Sequence, residues 1–327
     1  MSKIIVSGGK QRTRTLGVKE WSQYEGGTVL VIDTDTQQVL HKHEYLSPEE
    51  YTPDTPDVSV LFKAATVVGN TLYACTQTEV IVYSLPEFKQ LNHISSPCFN
   101  DVHHVTPTER NTLLVVSTGL DLIIEMDMQG NTVNEWFTVE TSDWKRFDRS
   151  LDYRKIVTTK PHHSHPNFVF QYKDNIWVTR FEQKDAVCLT AEGRIVIGTE
   201  SPHDGHIRSN HAYFTTVDGH IIEASMDTQE VTRRFPLRNI YGDENPMGWC
   251  RALCVQNENS FIVGFSRIRA SKIHRNLLWA KKYFEDGNKT ESLPTRIASI
   301  DINNESINWE FDLEPHDLNA IFSINLW

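Results

Sequence analysis

The sequence contains no apolar run approaching the roughly 20 residues needed to cross a bilayer, and its first segment, MSKIIVSGGKQRTRT, has no secretory hydrophobic stretch. A cytoplasmic protein is the expectation. Excess positive charge is also missing. With 43 acidic and 32 basic residues the net charge is -11, which leaves no general attraction to nucleic acid or to an anionic membrane. Cysteine is sparse and scattered: Cys75, Cys98, Cys188, Cys250 and Cys254. Cys250 and Cys254 have no matching second pair, so neither a disulfide framework nor a zinc ribbon is indicated, and buried thiols are the simpler reading. Helical periodicity is nearly absent.

What is present is a repeat of short β-branched and aromatic runs separated by Gly, Asn and Asp turn signals. Second strands read NTLYACTQ, NTLLVVST, NIWVTRF, HAYFTTVD and SFIVGFSR, with KIIVSGG in the same slot at the N-terminus. Third strands follow as TVLVIDTD, EVIVYSLP, LIIEMDMQG, DAVCLTAEG, HIIEASMDT and TRIASIDIN, and each is followed by a more polar fourth strand such as QVLHKHEY or SINWEFDL. Units of roughly 40 to 65 residues with four strands each have the length of propeller blades. The predicted fold is an all-β six-bladed propeller occupying residues 1–327 as one domain. The terminal run LNAIFSINLW has the character of an inner strand, and the N-terminal unit has no inner strand, so the C-terminus is predicted to complete the N-terminal blade and close the ring.

Long insertions mark one face. Residues 10–27, 139–160 and 267–294 all join strands on the side where the inner strands begin, whereas the opposite connections are tight turns. Within the third insertion, SKIHRNLLWAKKYFE has the spacing of an amphipathic helix.

Eight of the fourteen histidines stand just ahead of or at the start of inner strands: His103, His104, His162, His163, His165, His203, His206 and His316. The pairs Asp101/His103, His165/Asn167, Asp204/His206 and Asp317/Asn319 are each two residues apart, and strand alternation would turn both members toward a central channel. Lys63 and Arg251 fall in the corresponding stretch of the other two blades. Among the three adjacent histidines, His162 is expected to point away from the channel. His41, His43, His93, His211, His220 and His274 fall on outer strands, turns or the third insertion.

Three chemistries suit such a ring. Imidazoles meeting at one point would bind Zn or Fe; Asn and Asp oxygens would bind Ca; Lys63, Arg251 and histidines would form an anion pocket without metal. The entrances SHPNFVF and PHDGHIRSNHAYFTTVDGHIIEASMD resemble those of the six-bladed gluconolactonase, regucalcin and NHL-repeat group. In the lactonase members a central divalent cation is held by Glu, two Asn and Asp. That resemblance matches Asn167 and Asp204 to two of the ligands; the first-strand Glu has no counterpart, and His103 stands where an oxygen ligand belongs. PHDLN and Arg251 also resemble arylsulfotransferase-like propellers, which hold and transfer a sulfate group with channel histidines, an arginine and an asparagine.

The resulting expectation is a metal-dependent, hydrolase- or lactonase-like enzyme for a small polar, anionic metabolite. A divalent ion (Ca, Zn or Fe) would be held by His103, His165, Asn167, Asp204, His206 and Asn319. His104, His203, His316 and Arg251 would be catalytic, and Lys63, Asp101, His163 and Asp317 would bind substrate. A protein-binding propeller and sulfate-type transfer through a histidine remain as alternatives.

Overall fold

Runs such as KIIV, NTLLVV and SFIVGF are apolar at successive positions, not alternate ones, because the strands they form are buried on both faces. Ile4 and Val6 pack with Ala252, Ile262 and Ile297 on one side of their strand. Ile5, between them, packs with Phe62, Leu72 and Ile81 on the other. The same division holds around the molecule, with an apolar cluster between each successive pair of sheets.

The computed structural model describes residues 2–13, 19–198, 200–242, 246–268 and 293–327. Strands β1 (Lys3–Gln11), β2 (Tyr24–Asp33) and β3 (Gln38–Tyr45) form an antiparallel meander. The next unit is β4 (Thr66–Val68), β5 (Thr71–Cys75), β6 (Val80–Ser84) and β7 (Lys89–Ile94), followed by β8 (Val102–Pro107), β9 (Leu113–Ser117), β10 (Leu122–Met126) and β11 (Thr132–Phe137). The fourth holds β12 (Pro166–Tyr172), β13 (Asn175–Arg180), β14 (Asp185–Cys188) and β15 (Arg194–Val196). The fifth is β16 (Pro202–Arg208), β17 (His211–Thr216), β18 (His220–Ser225) and β19 (Val231–Pro236). The sixth is β20 (Trp249–Val255), β21 (Ser260–Ser266), β22 (Arg296–Asp301) and β23 (Ser306–Asp312), and the last strand, β24 (Ala320–Leu326), pairs with β1 as the fourth member of the first sheet.

Inner strands touch in a closed cycle, β24 to β4, β8, β12, β16, β20 and back to β24. This is the six-bladed β-propeller that the strand repeat predicts, with the C-terminal strand closing the first blade. Turn chemistry follows the sequence. Asp33, Asp127 and Asp301 end third strands and accept hydrogen bonds from backbone N–H groups two to four residues on, at 2.8–3.0 Å.

Three boundaries differ from the sequence-based expectation. VLFKAATV becomes a strand only from Thr66; before it, Val60 and Ala64 form isolated bridges with Glu25 and His104. The first insertion is shorter than 10–27, since β1 continues to Gln11 and β2 starts at Tyr24. In the third insertion, SKIHRNLLWAKKYFE lies outside the described residues.

Closure is tight enough to test. A Cβ on Gly8 would sit 1.8 Å from the carbonyl oxygen of Ala320, whereas one on Gly26 would meet only ordinary contacts at 3.6 Å. Gly8→Ala should lower unfolding free energy by about 3 kcal/mol, the upper range for an overpacked site, whereas Gly26→Ala, whose added methyl meets only ordinary contacts, should change it by less than about 1 kcal/mol. Urea unfolding of the two variants beside the parent checks this; equal effects would contradict the clash.

Candidate functional site

Five of the six inner strands carry a β-bulge in the same place, near their start. Two residues there oppose one on the neighbouring strand: around His103 in β8, Asn167 and Phe168 in β12, His203 and Asp204 in β16, Arg251 in β20 and Phe322 in β24. A bulge breaks the two-residue alternation and re-aims the extra side chain. At one level of the ring it re-aims His103, His203, Arg251 and Phe322 to the axis, where residues from the segments just before β4, β8 and β12 join them.

The gathered set is Lys63, Asp101, His103, His162, His165, His203, Arg251 and Phe322. Ring centres lie 5.2 Å apart for His103 and His165, 6.0 Å for His103 and His203, and 5.0 Å for His162 and His165. Lys63 Nζ is 4.8 Å and Arg251 Cζ 5.0 Å from the centre of the Phe322 ring. Lys63 also pairs with Asp101 Oδ1 at 3.1 Å. His103, His203, Lys63 and Arg251 are each buried.

Protonation follows from this crowding. Burial first, then the charge of Lys63, pushes His103 down to about 3, and burial with Arg251 holds His203 well below the usual imidazole range. His165 is likewise lowered by burial and by its imidazole neighbours. Burial opposes ionisation of Asp101, but Lys63 and the imidazoles override it and keep the carboxyl well below its usual value. Nδ1 of His103 lies 2.8 Å from the Asp101 carbonyl oxygen, which can only accept, so Nδ1 carries the hydrogen and Nε2 the lone pair. Among the described residues, the centre thus offers neutral imidazoles beside two fixed cations and one carboxylate.

Sequence reasoning missed the group that shapes the histidine loop. Asp121 is fully buried at the turn before β10. Its Oδ1 accepts from the backbone N–H of Ser164 and of His165, both at 2.9 Å; its Oδ2 accepts from His163 N at 2.8 Å, Ser142 Oγ at 2.9 Å and Arg146 Nη1 at 2.9 Å. Burial works against its charge, yet these N–H donors hold its pKa below the usual carboxylate value. Buried carboxylates recur at the matching turn in two other blades, as Glu79 and Asp185, so the recurrence of an acid before the third strand was the available signal.

The remaining candidates are dispersed. His162, not His163, joins the cluster: its Nδ1 is 2.8 Å from His165 Nδ1, while exposed His163 turns to Thr141 Oγ1 at 2.9 Å. Asp121 makes the difference by fixing the loop backbone. His316 stacks on Phe311, Asp317 pairs with Lys42 at 2.6 Å, and Asn319 Oδ1 accepts from Gln11 N at 2.9 Å. Phe322 therefore takes the axial place foreseen for the Asp317/Asn319 pair, because β24 begins only at Ala320. His104 ties three inner strands together: Nδ1 accepts from Val169 N at 3.3 Å and Nε2 lies 3.1 Å from Thr66 Oγ1. That bonding makes it a strut between the three strands.

Asp204 and His206 line a cavity of about 520 Å³ at the other end of the inner strands, together with His104, Phe168 and Leu253. Burial raises the Asp204 carboxyl well above its usual pKa even though Leu253 N donates to Oδ2 at 3.0 Å. Asn167 donates through Nδ2 to the Pro202 carbonyl at 3.2 Å, leaving Oδ1 without a hydrogen-bond partner among the described residues. The six residues foreseen as metal ligands thus do not surround one point. Among the described residues no group of three or more His, Cys, Asp or Glu is arranged to hold an ion.

No protein-family model and no curated protein matches the chain. Solved structures do. A protein of unknown function from Bacteroides caccae superposes with a TM-score of 0.63 at 12% identity, covering 100% of this chain and 99% of that one. A chain of a nidogen/laminin complex gives 0.57 at 10% identity, covering 99% and 98%. Both likenesses are of fold alone. The narrower resemblance to the gluconolactonase and NHL group stays a matter of loose motifs.

The buried histidines predict how stability depends on pH. His104 is lowered to about 3 by burial, so below about 6.5 the unfolded chain binds a proton that the folded chain does not. Stability is therefore full above that pH and falls on acidification, by up to about 1.4 kcal/mol per pH unit for each such residue. Urea midpoints at pH 7.5, 6.5 and 5.5 (assay settings of about one unit spacing) should fall in that order, with a shallower fall in His104→Gln. A midpoint that rises on acidification would contradict the assignment.

Proposed function

We propose that the protein is an enzyme acting on a small anionic metabolite at the His103 end of the channel, by imidazole acid–base chemistry without a resident metal. The observation that carries this reading is the convergence of Lys63, Asp101, His103, His165, His203, Arg251 and Phe322, drawn from all six blades, at one point of the axis. Propeller stability requires none of these polar groups there. Burying them costs free energy that an apolar axis would not.

In this reading Lys63 and Arg251 hold the anionic group of the substrate, Arg251 through its planar guanidinium. His103 Nε2 removes a proton from water as the water oxygen bonds to an ester or lactone carbonyl carbon. When the adduct collapses, the bond from that carbon to the leaving oxygen breaks, and His103 returns the proton to the leaving oxygen. A divalent ion is disfavoured at this point, because two cations already occupy it and Asp101, its one carboxylate among the described residues, is paired with Lys63.

A panel of small anionic esters and lactones, assayed in chelator, tests the proposal. His103→Gln and Arg251→Gln should lower kcat/KM by about 100-fold or more, while Lys173→Gln at the opposite cavity leaves it unchanged. Activity abolished by chelator, with stoichiometric metal that disappears in His103→Ala, would refute the metal-free mechanism. No turnover on the panel, with a protein partner still bound by every variant, would replace the enzyme with a binding propeller.

A further inference from the structure

We infer that the cavity at the opposite end of the inner strands is a second binding site, built for an organic ammonium ion with an apolar body, which Asp204 and His206 hold. The site is separate from the cluster at the His103 end, so it stands or falls independently of the proposed ester chemistry.

The cavity, about 520 Å³, falls in the size range of small-molecule pockets. Phe168, Phe170, Ile207, Leu253 and Ile324 give its wall hydrocarbon, and the rings of Phe168 and Phe170 stack with centres 5.5 Å apart. Asp204 is the one acid buried in that wall among the described residues. Its Oδ2 accepts from Leu253 N at 3.0 Å, and the backbone of Gly205 donates to the same carboxyl. Two N–H donors suit a carboxylate. Yet no cation among the described residues pairs with it, and a buried charge without a partner is costly. A positive charge in the cavity would complete the site.

The residues around Asp204 do not supply that charge. Burial pushes His104 down to about 3 and His206, with Arg208 adding to the effect, down to about 4, so both rings are neutral. Lys173, the one lysine at the rim among the described residues, pairs with Asp227 at 3.4 Å. Glu109 and Asp174, also at the rim, are exposed acids, and with the net charge of -11 they favour the approach of a cation. An ammonium group beside Asp204 keeps the carboxyl ionised. A second N–H can donate to the His206 ring, which makes no hydrogen bond among the described residues and, being neutral, has a lone pair to accept one. The carbon body rests on the apolar wall, where the aromatic rings of Phe168 and Phe170 also attract positive charge. A bare divalent ion is served less well, since it requires several oxygen ligands and Asp204 is the one buried carboxyl among the described residues here.

Calorimetric titration with benzylamine, benzyl alcohol and benzoate, which share an aromatic body and differ in charge, tests this at a pH where the amine is protonated. Benzylammonium should bind about tenfold or more tightly than the alcohol, the worth of one hydrogen bond to a charged group, and benzoate should bind least. Asp204→Asn keeps the shape and removes the charge, so it should erase the preference for the amine while leaving the alcohol's affinity unchanged. Phe168→Leu should weaken amine and alcohol alike. Should Asp204→Asn fail to unfold cooperatively, His206→Gln carries the test by weakening the amine more than the alcohol. Absence of amine binding overturns the inference, as does equal affinity for amine and alcohol or an amine preference that survives Asp204→Asn. Stoichiometric calcium binding that is lost in that variant would make this a metal site and overturn it as well. The ester and lactone panel is read separately, so failure here leaves the proposal for the His103 end intact.

Discussion

Closure of the ring is the constraint on which the site depends. Strand β24 pairs with β1 from Ile4/Leu326 to Gly9/Ala320, and Trp327 N donates to Lys3 O at 2.8 Å. The same pairing sets Ser7 against Ser323 at 2.6 Å. Ser7 Oγ donates to the Lys63 carbonyl at 2.7 Å, and Ala65 N donates to Ser323 Oγ at 3.0 Å. The proton order is consistent, with Ser323 donating to Ser7. Closure thereby fixes the backbone of Lys63, and it supplies Phe322, over which both cations rest.

Around that frame, local irregularity does the positioning. A regular strand would send His103 and its counterparts alternately to the two faces of a blade, where apolar clusters leave no room for them. The bulges in four strands divert His103, His203, Arg251 and Phe322 to the axis instead, whereas Lys63, Asp101, His162 and His165 reach it from the segments that precede their strands. Asp121 performs the equivalent task for a loop. One buried carboxylate takes the N–H groups of His163, Ser164 and His165 together, turning two of the three neighbouring histidines inward and one out. Both devices depart from regular strand geometry, and both are flanked by paired sheets.

The electrostatic arrangement is similarly dependent on its surroundings. Imidazoles placed in water beside a lysine would be only slightly perturbed; the water-poor axis makes the cations effective and keeps the rings neutral. The opposite cavity inverts the pattern: burial drives Asp204, which has no cationic partner among the described residues, toward its neutral form. Adjacent residues His203 and Asp204 therefore belong to two different environments, although they are one step apart in the chain.

Much of the fold was legible from residue patterns. Six units, four strands each, and complementary gaps at the two termini required only β-propensity, turn residues and counting. The candidate site was legible as a neighbourhood: Lys63, Asp101, His103, His165, His203 and Arg251 all reach the axis. The pairings within it were not. Asp204/His206 and Asp317/Asn319 were read by two-residue alternation, which bulges and a late strand start interrupt. Asp121 escaped notice because a carboxylate in a turn has no local mark of burial. By itself, the sequence determined which segments become strands and that they close on themselves, since those follow from local propensity and periodicity. Which side chains meet, and which are neutral, was decided only by tertiary structure, because both depend on distances and dielectric between residues far apart in the chain.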